Sequence, residues 1–107
     1  YSNEAKSEQV GVPGALIDAH GAVSEEVVRA MAEGGVAQSR ADLAIAITGI
    51  AGPDGGTPAK PVGLVHIAGA RADRETLHFA RVFSGDRDDV RLASVSAGLG
   101  LLLNIAG

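Results

Sequence analysis

The sequence predicts an α/β domain of three layers, α/β/α, with helices on both faces of a mixed β-sheet. Two patterns indicate this class: short aliphatic runs of strand length occupy the middle of the chain, and apolar residues at helical spacing precede and follow them. A chain of 107 residues, of which 46% are hydrophobic, can bury one core. We therefore expect a single domain over residues 1–107.

The first part of the chain predicts short turns and then one regular helix. Residues 1–21 mix polar residues with glycine and proline, which is typical of short helical turns joined by loops. Ser24 can cap a helix over residues 24–34, because acidic residues follow in the first turn, where the helix dipole favours carboxylates. Two glycines from Gly34 onward predict the end of this helix.

Three segments have the composition of strands. Residues 43–47 form a short apolar run, which is typical of a strand buried on both faces. Residues 62–70 form a second aliphatic run, and residues 76–83 alternate like a half-exposed strand near a sheet edge. The polar residues 71–74 predict a hairpin turn, so we expect the last two strands to be antiparallel neighbours.

A long helix is predicted at the C-terminal end of the chain. Acidic residues crowd its start within residues 84–89, and apolar residues then recur at helical spacing as far as Ile105. Gly98 and Gly100 each cost about 1 kcal/mol relative to alanine inside a helix, unless close packing requires them. We expect this helix to pack on the sheet.

Composition argues against several kinds of partner. The formal net charge is −4 and aromatic residues make up 3%, which disfavours phosphate contacts and base stacking with nucleic acid. Without cysteine, these residues can form neither disulfides nor thiolate-bound zinc, and the three histidines lack metal-ligand spacing, so we expect no metal and no cofactor. No run approaches the roughly 20 apolar residues of a membrane span, so we expect a soluble, cytoplasmic domain.

The glycine-rich segment 48–63 is the first candidate for a ligand site. Gly49, Gly52, Gly55 and Gly56 follow a predicted strand, so backbone N–H groups can approach a ligand closely at the strand's C-terminal end. The segment matches neither the Walker pattern nor the dinucleotide fingerprint, because no helix directly follows it. By spacing alone, an ordinary glycine-rich turn explains the pattern equally well.

Seven short motifs follow one another along the chain. They are Tyr1-Ser-Asn-Glu-Ala-Lys6, Gly21-Ala-Val-Ser24, Met31-Ala-Glu-Gly34, Ala41-Asp42, Thr48-Gly-Ile-Ala-Gly-Pro-Asp-Gly-Gly56, Lys60-Pro-Val-Gly63 and Phe83-Ser-Gly-Asp-Arg87. In this order they resemble the CinA C-terminal domain family, also known as the nicotinamide mononucleotide deamidases. The resemblance covers nearly the whole chain, and the motifs that begin at Thr48 and Lys60 are its most specific part.

The resemblance implies hydrolysis of the carboxamide of nicotinamide mononucleotide to nicotinic acid mononucleotide and ammonia, a reaction of pyridine nucleotide salvage that uses no metal. In the family the nucleophilic serine lies in a Glu-Ser-Cys-Thr-Gly-Gly segment upstream of the first motif, and this sequence does not contain that segment. The chain also starts at Tyr1 without an initiator methionine, so we expect a domain that is incomplete at its N-terminus and inactive on its own. The alternative is a non-catalytic nucleotide-binding or assembly module of a competence/damage-inducible protein.

Two catalytic roles carry over from the resemblance. Lys6 occupies the position of the motif lysine, which would deprotonate the upstream serine; a solvated surface lysine is the alternative. Arg87 opens the last predicted helix, where it could hold a phosphate or stabilise the transition state. Arg91, one turn later, is a competing candidate, and pairing with neighbouring aspartates would also explain Arg87.

Substrate contacts are expected from the first motif and from the glycine-rich segment. Tyr1 and Asn3 would line the pocket. Thr48 and Gly49 would bind the carboxamide or the ribose, and Lys60 would reach a phosphate, although a strand-ending threonine and a solvated loop lysine are ordinary alternatives. The expected partner is therefore a small-molecule nucleotide. An edge exposed by a missing strand favours self-association, so we also expect a homo-oligomer, in the simplest case a dimer.

Overall fold

The computed structural model describes residues 14–39, 42–50, 52 and 55–106. The described residues form three helices and three strands, in the order α1 (Gly14–His20), α2 (Glu25–Ser39), β1 (Leu43–Gly49), β2 (Leu64–Arg71), β3 (Arg74–Val82) and α3 (Arg87–Ala106). The predicted long helix and all three predicted strands are therefore present.

The strands form one sheet in the order β1-β2-β3. Ile67 in the central strand faces Ile47 on one side and Phe79 on the other, and both pairings are antiparallel. The predicted hairpin between β2 and β3 is thus confirmed. No parallel pair occurs among the described strands, because neither connection between them carries the crossover helix that a parallel pair requires.

Helices cover both faces of the sheet. On one face, Val28 and Ala32 of α2 pack against Ala46 of β1 and against alanines of β2. On the other face, Val90, Leu101 and Ile105 of α3 pack against the odd-numbered residues of β1 and β2. Successive strand residues point to opposite faces, so the apolar run in β1 serves both helices. The predicted three-layer α/β/α arrangement is confirmed.

Helix α2 begins as predicted and ends later than predicted. The Ser24 Oγ accepts a hydrogen bond from the Val27 N–H at 3.3 Å and caps the first turn. The predicted end at Gly34 is wrong, because the helix continues to Ser39. A Cβ added at Gly35 would lie 3.2 Å from the Ala44 Cβ, so glycine at this position lets α2 approach β1 closely and does not end the helix.

Helix α3 starts with a reciprocal cap. The Asp86 carboxylate accepts from the Asp89 N–H at 2.9 Å, and the Asp89 carboxylate accepts from the Asp86 N–H at 3.0 Å. Further along, a Cβ added at Gly98 would lie 2.9 Å from the Ile47 Cδ1, whereas a Cβ at Gly100 would meet no atom within 4 Å. Close packing therefore requires a glycine at position 98 but not at position 100.

In the part of the chain that the structure describes, α3 is the one helix long and apolar enough to cross a membrane, judged by length and composition. The prediction that no run approaches the length and apolar composition of a membrane span is therefore wrong. Helix α3 has 20 residues, and no charged residue follows Arg91 in it. Such helices also occur in the cores of soluble proteins. One side of α3 packs on the sheet, with Val90, Gly98 and Ile105 buried, and the other side is exposed.

Candidate functional site

The predicted site residues that the structure describes lie toward one end of the sheet, where β1 finishes. The Thr48 Oγ1 at this end donates to the carbonyl of Ala22, just before α2 begins. The Phe83 N–H donates to the carbonyl of Gly63 and so brings the start of α3 to the same end. Two helix N-termini therefore lie beside the end of β1, and their dipoles favour negatively charged groups there.

The segment between β1 and β2 is held by short-range contacts. The Thr57 N–H donates to the Lys60 carbonyl at 2.8 Å, and the Lys60 N–H donates to the Thr57 Oγ1 at 3.0 Å. Gly63 has a φ of +94°, and a Cβ there would overlap the Phe83 carbonyl oxygen. Gly52 has a φ of +83° and packs its Cα side against Val62. Packing and turn geometry thus account for these two glycines without a ligand.

Two more predicted ligand glycines lie in this segment. Gly55 and Gly56 are both exposed. A Cβ added at Gly56 would lie 2.7 Å from the Val62 backbone nitrogen, so close backbone approach also requires this glycine. None of these residues is assigned to a ligand by its own contacts.

Thr48 and Lys60 both hold the connection between α1 and α2. The buried Thr48 side chain, which is 5% exposed, donates to the Ala22 carbonyl at 2.9 Å. The Lys60 Nζ donates to the His20 carbonyl at 2.8 Å. The Lys60 charge therefore lies at the C-terminal end of α1, where the helix dipole favours a cation.

A histidine pair lies next to Thr48, on the face of the sheet that α2 covers. His66 faces Thr48 across the β1–β2 pairing. Its Nδ1 lies 3.0 Å from the His78 Nε2, and the two rings stack with centroids 5.2 Å apart. The His78 Nδ1 lies 3.7 Å from the Glu25 Oε1, and the Arg29 Nε donates to the Glu25 Oε2 at 2.7 Å. Glu25 thus joins the pair to the start of α2.

The surroundings shift two pKa values in this cluster. Burial lowers the pKa of His66, and the nearby positive charges of His78 and Lys60 lower it further. The hydrogen bond from Arg29 lowers the pKa of Glu25, and the His78 charge acts in the same direction. At neutral pH the cluster is therefore a neutral His66 beside a carboxylate that is held ionised.

This cluster was not predicted, because the spacing of the histidines fits no metal motif. The signal that could have found them is the predicted hairpin: two histidines on the same face of antiparallel neighbours, in diagonal register, can touch. Among the described residues, no three histidine, aspartate or glutamate side chains are grouped as a metal site would need.

A cavity of about 600 Å³ opens on the other face of the sheet, under the start of α3. It is lined by Ile47, Gly49, Val65, Val90, Arg91, Ser94 and Val95. Its size is within the usual range for small-molecule sites, and its lining combines aliphatic side chains with Ser94 and one guanidinium group. The predicted ligand residue Gly49 lies here, and so does Arg91, the competing candidate for a phosphate contact.

Arg87 does not line this cavity. It is the first residue of α3, its side chain is exposed, and it follows the Asp86 cap. The predicted residues Tyr1, Asn3 and Lys6 lie outside the described residues. The described site therefore has two parts at one end of the sheet: Thr48, Lys60 and the histidine pair on the α2 side, and Gly49 with Arg91 on the α3 side.

Comparison with known proteins gives a consistent result. The model of the CinA C-terminal domain family matches residues 1–106. A CinA-like protein from Anaeromyxobacter dehalogenans is 53% identical over 102 residues, which are 95% of this chain and 25% of that protein. The crystal structure of the competence/damage inducible protein CihA from Agrobacterium tumefaciens superposes with a TM-score of 0.95 at 41% identity, covering 100% of this chain and 66% of that one.

A second solved structure agrees with the first. The competence or damage-inducible protein from Enterobacter asburiae superposes with a TM-score of 0.90 at 36% identity and covers 100% of this chain and 67% of its own. The chain thus spans about a quarter of the curated relative and about two thirds of the solved chains.

Proposed function

Because the chain belongs to the CinA C-terminal domain family, we propose that the protein carrying it hydrolyses the carboxamide of nicotinamide mononucleotide. A hydroxyl group from water would replace the amino group on the carbonyl carbon, and the products would be nicotinic acid mononucleotide and ammonia. The observation that carries this proposal is the cavity at the end of β1, which combines a glycine-lined strand end with an arginine on the first turns of a helix. Such a site suits a nucleotide, since a guanidinium group can bind a phosphate through charge-assisted hydrogen bonds.

The resemblance supplies the chemical step. A serine of the upstream Glu-Ser-Cys-Thr-Gly-Gly segment would attack the carboxamide carbon after Lys6 takes its proton. The C–N bond then breaks, and the amino group leaves as ammonia with the proton that Lys6 took from the serine. Water then hydrolyses the acyl-serine ester to the carboxylate. In this division of labour the present chain supplies the base and the nucleotide contacts, and Arg87 or Arg91 balances negative charge on the phosphate or in the transition state.

A second function is favoured by one observation. Thr48 and Lys60, both expected to touch substrate, use their side chains to hold the connection between α1 and α2. A module that binds a nucleotide without hydrolysing it, or that serves assembly, needs no nucleophile and agrees with this arrangement.

The two functions differ in turnover. We expect the 107-residue chain to bind nicotinamide mononucleotide in calorimetric titration without releasing ammonia. The longest natural polypeptide that contains this domain should release ammonia and nicotinic acid mononucleotide in equal amounts, and Lys6→Ala should abolish both products. Arg74→Ala, at the exposed start of β3, is the matched control and should keep full turnover. Binding without turnover by the long polypeptide would favour the non-catalytic module, and normal turnover by Lys6→Ala would remove the proposed base.

A further inference from the structure

One buried hydroxyl group in the cavity under the start of α3 has no part in the proposed reaction. Ser94 is 7% exposed and lines the cavity together with Gly49 and Arg91. Its Oγ donates to the Val90 carbonyl, four residues earlier in α3, at 2.7 Å. The hydroxyl group has one hydrogen and uses it inside the helix, so its oxygen has only acceptor lone pairs left for another partner.

Helix stability does not explain a serine at this position. Alanine has the higher helix propensity, and a serine that bonds back to the carbonyl four residues earlier slightly destabilises a helix. The same helix has alanine nearby, at Ala93 and Ala97. Of the described residues, none donates a hydrogen bond to the Ser94 Oγ. A buried oxygen with open lone pairs, on the wall of a cavity, suits a ligand that supplies the donor.

Ser94 is not placed to act as a nucleophile. Apart from Gly49 and Arg91, the other residues that line the cavity have aliphatic side chains. A guanidinium group stays protonated in proteins, so Arg91 cannot accept the serine proton. The hydroxyl hydrogen is directed at a backbone carbonyl, which is no general base. Within this cavity Ser94 can therefore act as a fixed hydrogen-bond acceptor.

Arg91 and Ser94 lie toward opposite ends of the cavity wall that α3 forms. The two residues are three positions apart, and residues at this spacing share one face of a helix. A long side chain in a helix points back toward the N-terminus, so the Arg91 guanidinium group extends away from Ser94. A nucleotide whose phosphate binds Arg91 would direct its base toward Ser94.

We propose that Ser94 makes the site prefer a carboxamide to a carboxylate, an inference that rests on the proposed function. The carboxamide NH₂ group of nicotinamide mononucleotide can donate a hydrogen bond to the Ser94 Oγ. The carboxylate of nicotinic acid mononucleotide has only acceptors, so it would face the lone pairs of this oxygen. It gains a hydrogen bond only if the hydroxyl group gives up the Val90 carbonyl. Ser94 thus favours the substrate and weakens binding of the product.

The two mononucleotides test this role in calorimetric titrations of the 107-residue chain, which should not consume the amide. The wild-type chain should bind nicotinamide mononucleotide more tightly than nicotinic acid mononucleotide. In Ser94→Ala the affinity for the amide should fall and the affinity for the acid should rise, so their ratio should drop about tenfold. A change in packing alone would move both affinities in the same direction.

Two further variants complete the test. Ser94→Thr keeps a hydroxyl group that can bond to the Val90 carbonyl and should keep the preference for the amide. Ser96→Ala, on the exposed side of α3, is the matched control and should change neither affinity. Circular dichroism shows that each variant is folded.

The outcomes separate this inference from the proposed function. If the wild-type chain binds nicotinamide mononucleotide but Ser94→Ala leaves the ratio unchanged, or moves both affinities in the same direction, the role of Ser94 is overturned and the proposed function stands. If the wild-type chain binds neither mononucleotide, both fail.

Discussion

The Nδ1 of His66 lies 3.0 Å from the Nε2 of His78 on the neighbouring strand. At this distance one nitrogen donates its hydrogen and the other accepts it, so the contact requires that at least one ring be neutral. A second proton would place two donors face to face. Burial and the charges of His78 and Lys60 lower the pKa of His66, which favours its neutral form.

This arrangement predicts a loss of stability on mild acidification. The unfolded chain takes up a proton on His66 near the ordinary histidine pKa of about 6.5, whereas the folded protein takes it up only at lower pH. The free energy of unfolding should therefore fall as the pH drops through about 6.5, and the fall should level off below the folded-state pKa. The pKa of Glu25 is lowered from the ordinary glutamate value, so Glu25 contributes to the fall in the free energy of unfolding only at more acidic pH.

Urea unfolding between pH 8 and 5.5 measures this effect. His66→Asn keeps a hydrogen-bonding group in place of Nδ1 and removes the titration, so most of the pH slope should disappear. His20→Asn is the control, because His20 is exposed and its Nδ1 lies 3.6 Å from the Glu26 Oε1. An unchanged slope in His66→Asn, or a slope lost equally in His20→Asn, would show that another group causes the pH dependence.

The two glycines inside α3 predict opposite responses to alanine. Gly100→Ala should raise the free energy of unfolding by about 1 kcal/mol, because it improves helix propensity and the new methyl group meets nothing within 4 Å. Gly98→Ala gains the same propensity but forces the Ile47 Cδ1 to move, so it should be at least about 1 kcal/mol less stable than Gly100→Ala. Thermal and urea unfolding of both variants decides this. Equal stabilisation by the two changes would mean that α3 has room to move away from β1.

The cap of α2 predicts a measurable cost for losing one hydroxyl group. Ser24 accepts from the Val27 N–H and donates to the Gly21 carbonyl at 2.8 Å, so Ser24→Ala should lower the free energy of unfolding by about 1 kcal/mol. Ser24→Thr keeps the hydroxyl group that makes both bonds and should recover most of the loss. Ser96→Ala, on the exposed side of α3, should have little effect. If Ser24→Ala behaved like Ser96→Ala, the cap would contribute nothing to stability.

The fold was predictable where one physical signal dominated. Strand β1 is an uninterrupted aliphatic run, and its burial against helices on both faces follows directly from that pattern. Ser24 and the acidic start of α3 were predicted from capping alone. The end of α2 was not, because a glycine that ends a helix and a glycine that packs against Ala44 look the same in the sequence.

The site was predictable in position more than in detail. The glycine-rich segment directly follows the predicted strand in the sequence, so it was expected at the end of β1, and it lies there in the structure. Which arginine borders the cavity depends on helix rotation by less than one turn, and the pattern of charges near 87–91 does not fix that rotation. The contact between His66 and His78 depends on the register of β2 and β3, which only the folded hairpin defines.

The two arginines at the start of α3 should differ in their effect on nucleotide binding. Arg91 lines the cavity beside Gly49, whereas the exposed Arg87 does not, so Arg91→Gln should weaken binding of nicotinamide mononucleotide about tenfold and Arg87→Gln should weaken it less. Nicotinamide riboside, which lacks the phosphate, provides the control ligand: its affinity should be equal in the two variants if Arg91 acts on the phosphate. Calorimetric titration gives both affinities. A larger loss of affinity for nicotinamide mononucleotide in Arg87→Gln would assign the phosphate contact to Arg87. The nucleotide would then lie outside the cavity, above the N-terminus of α3.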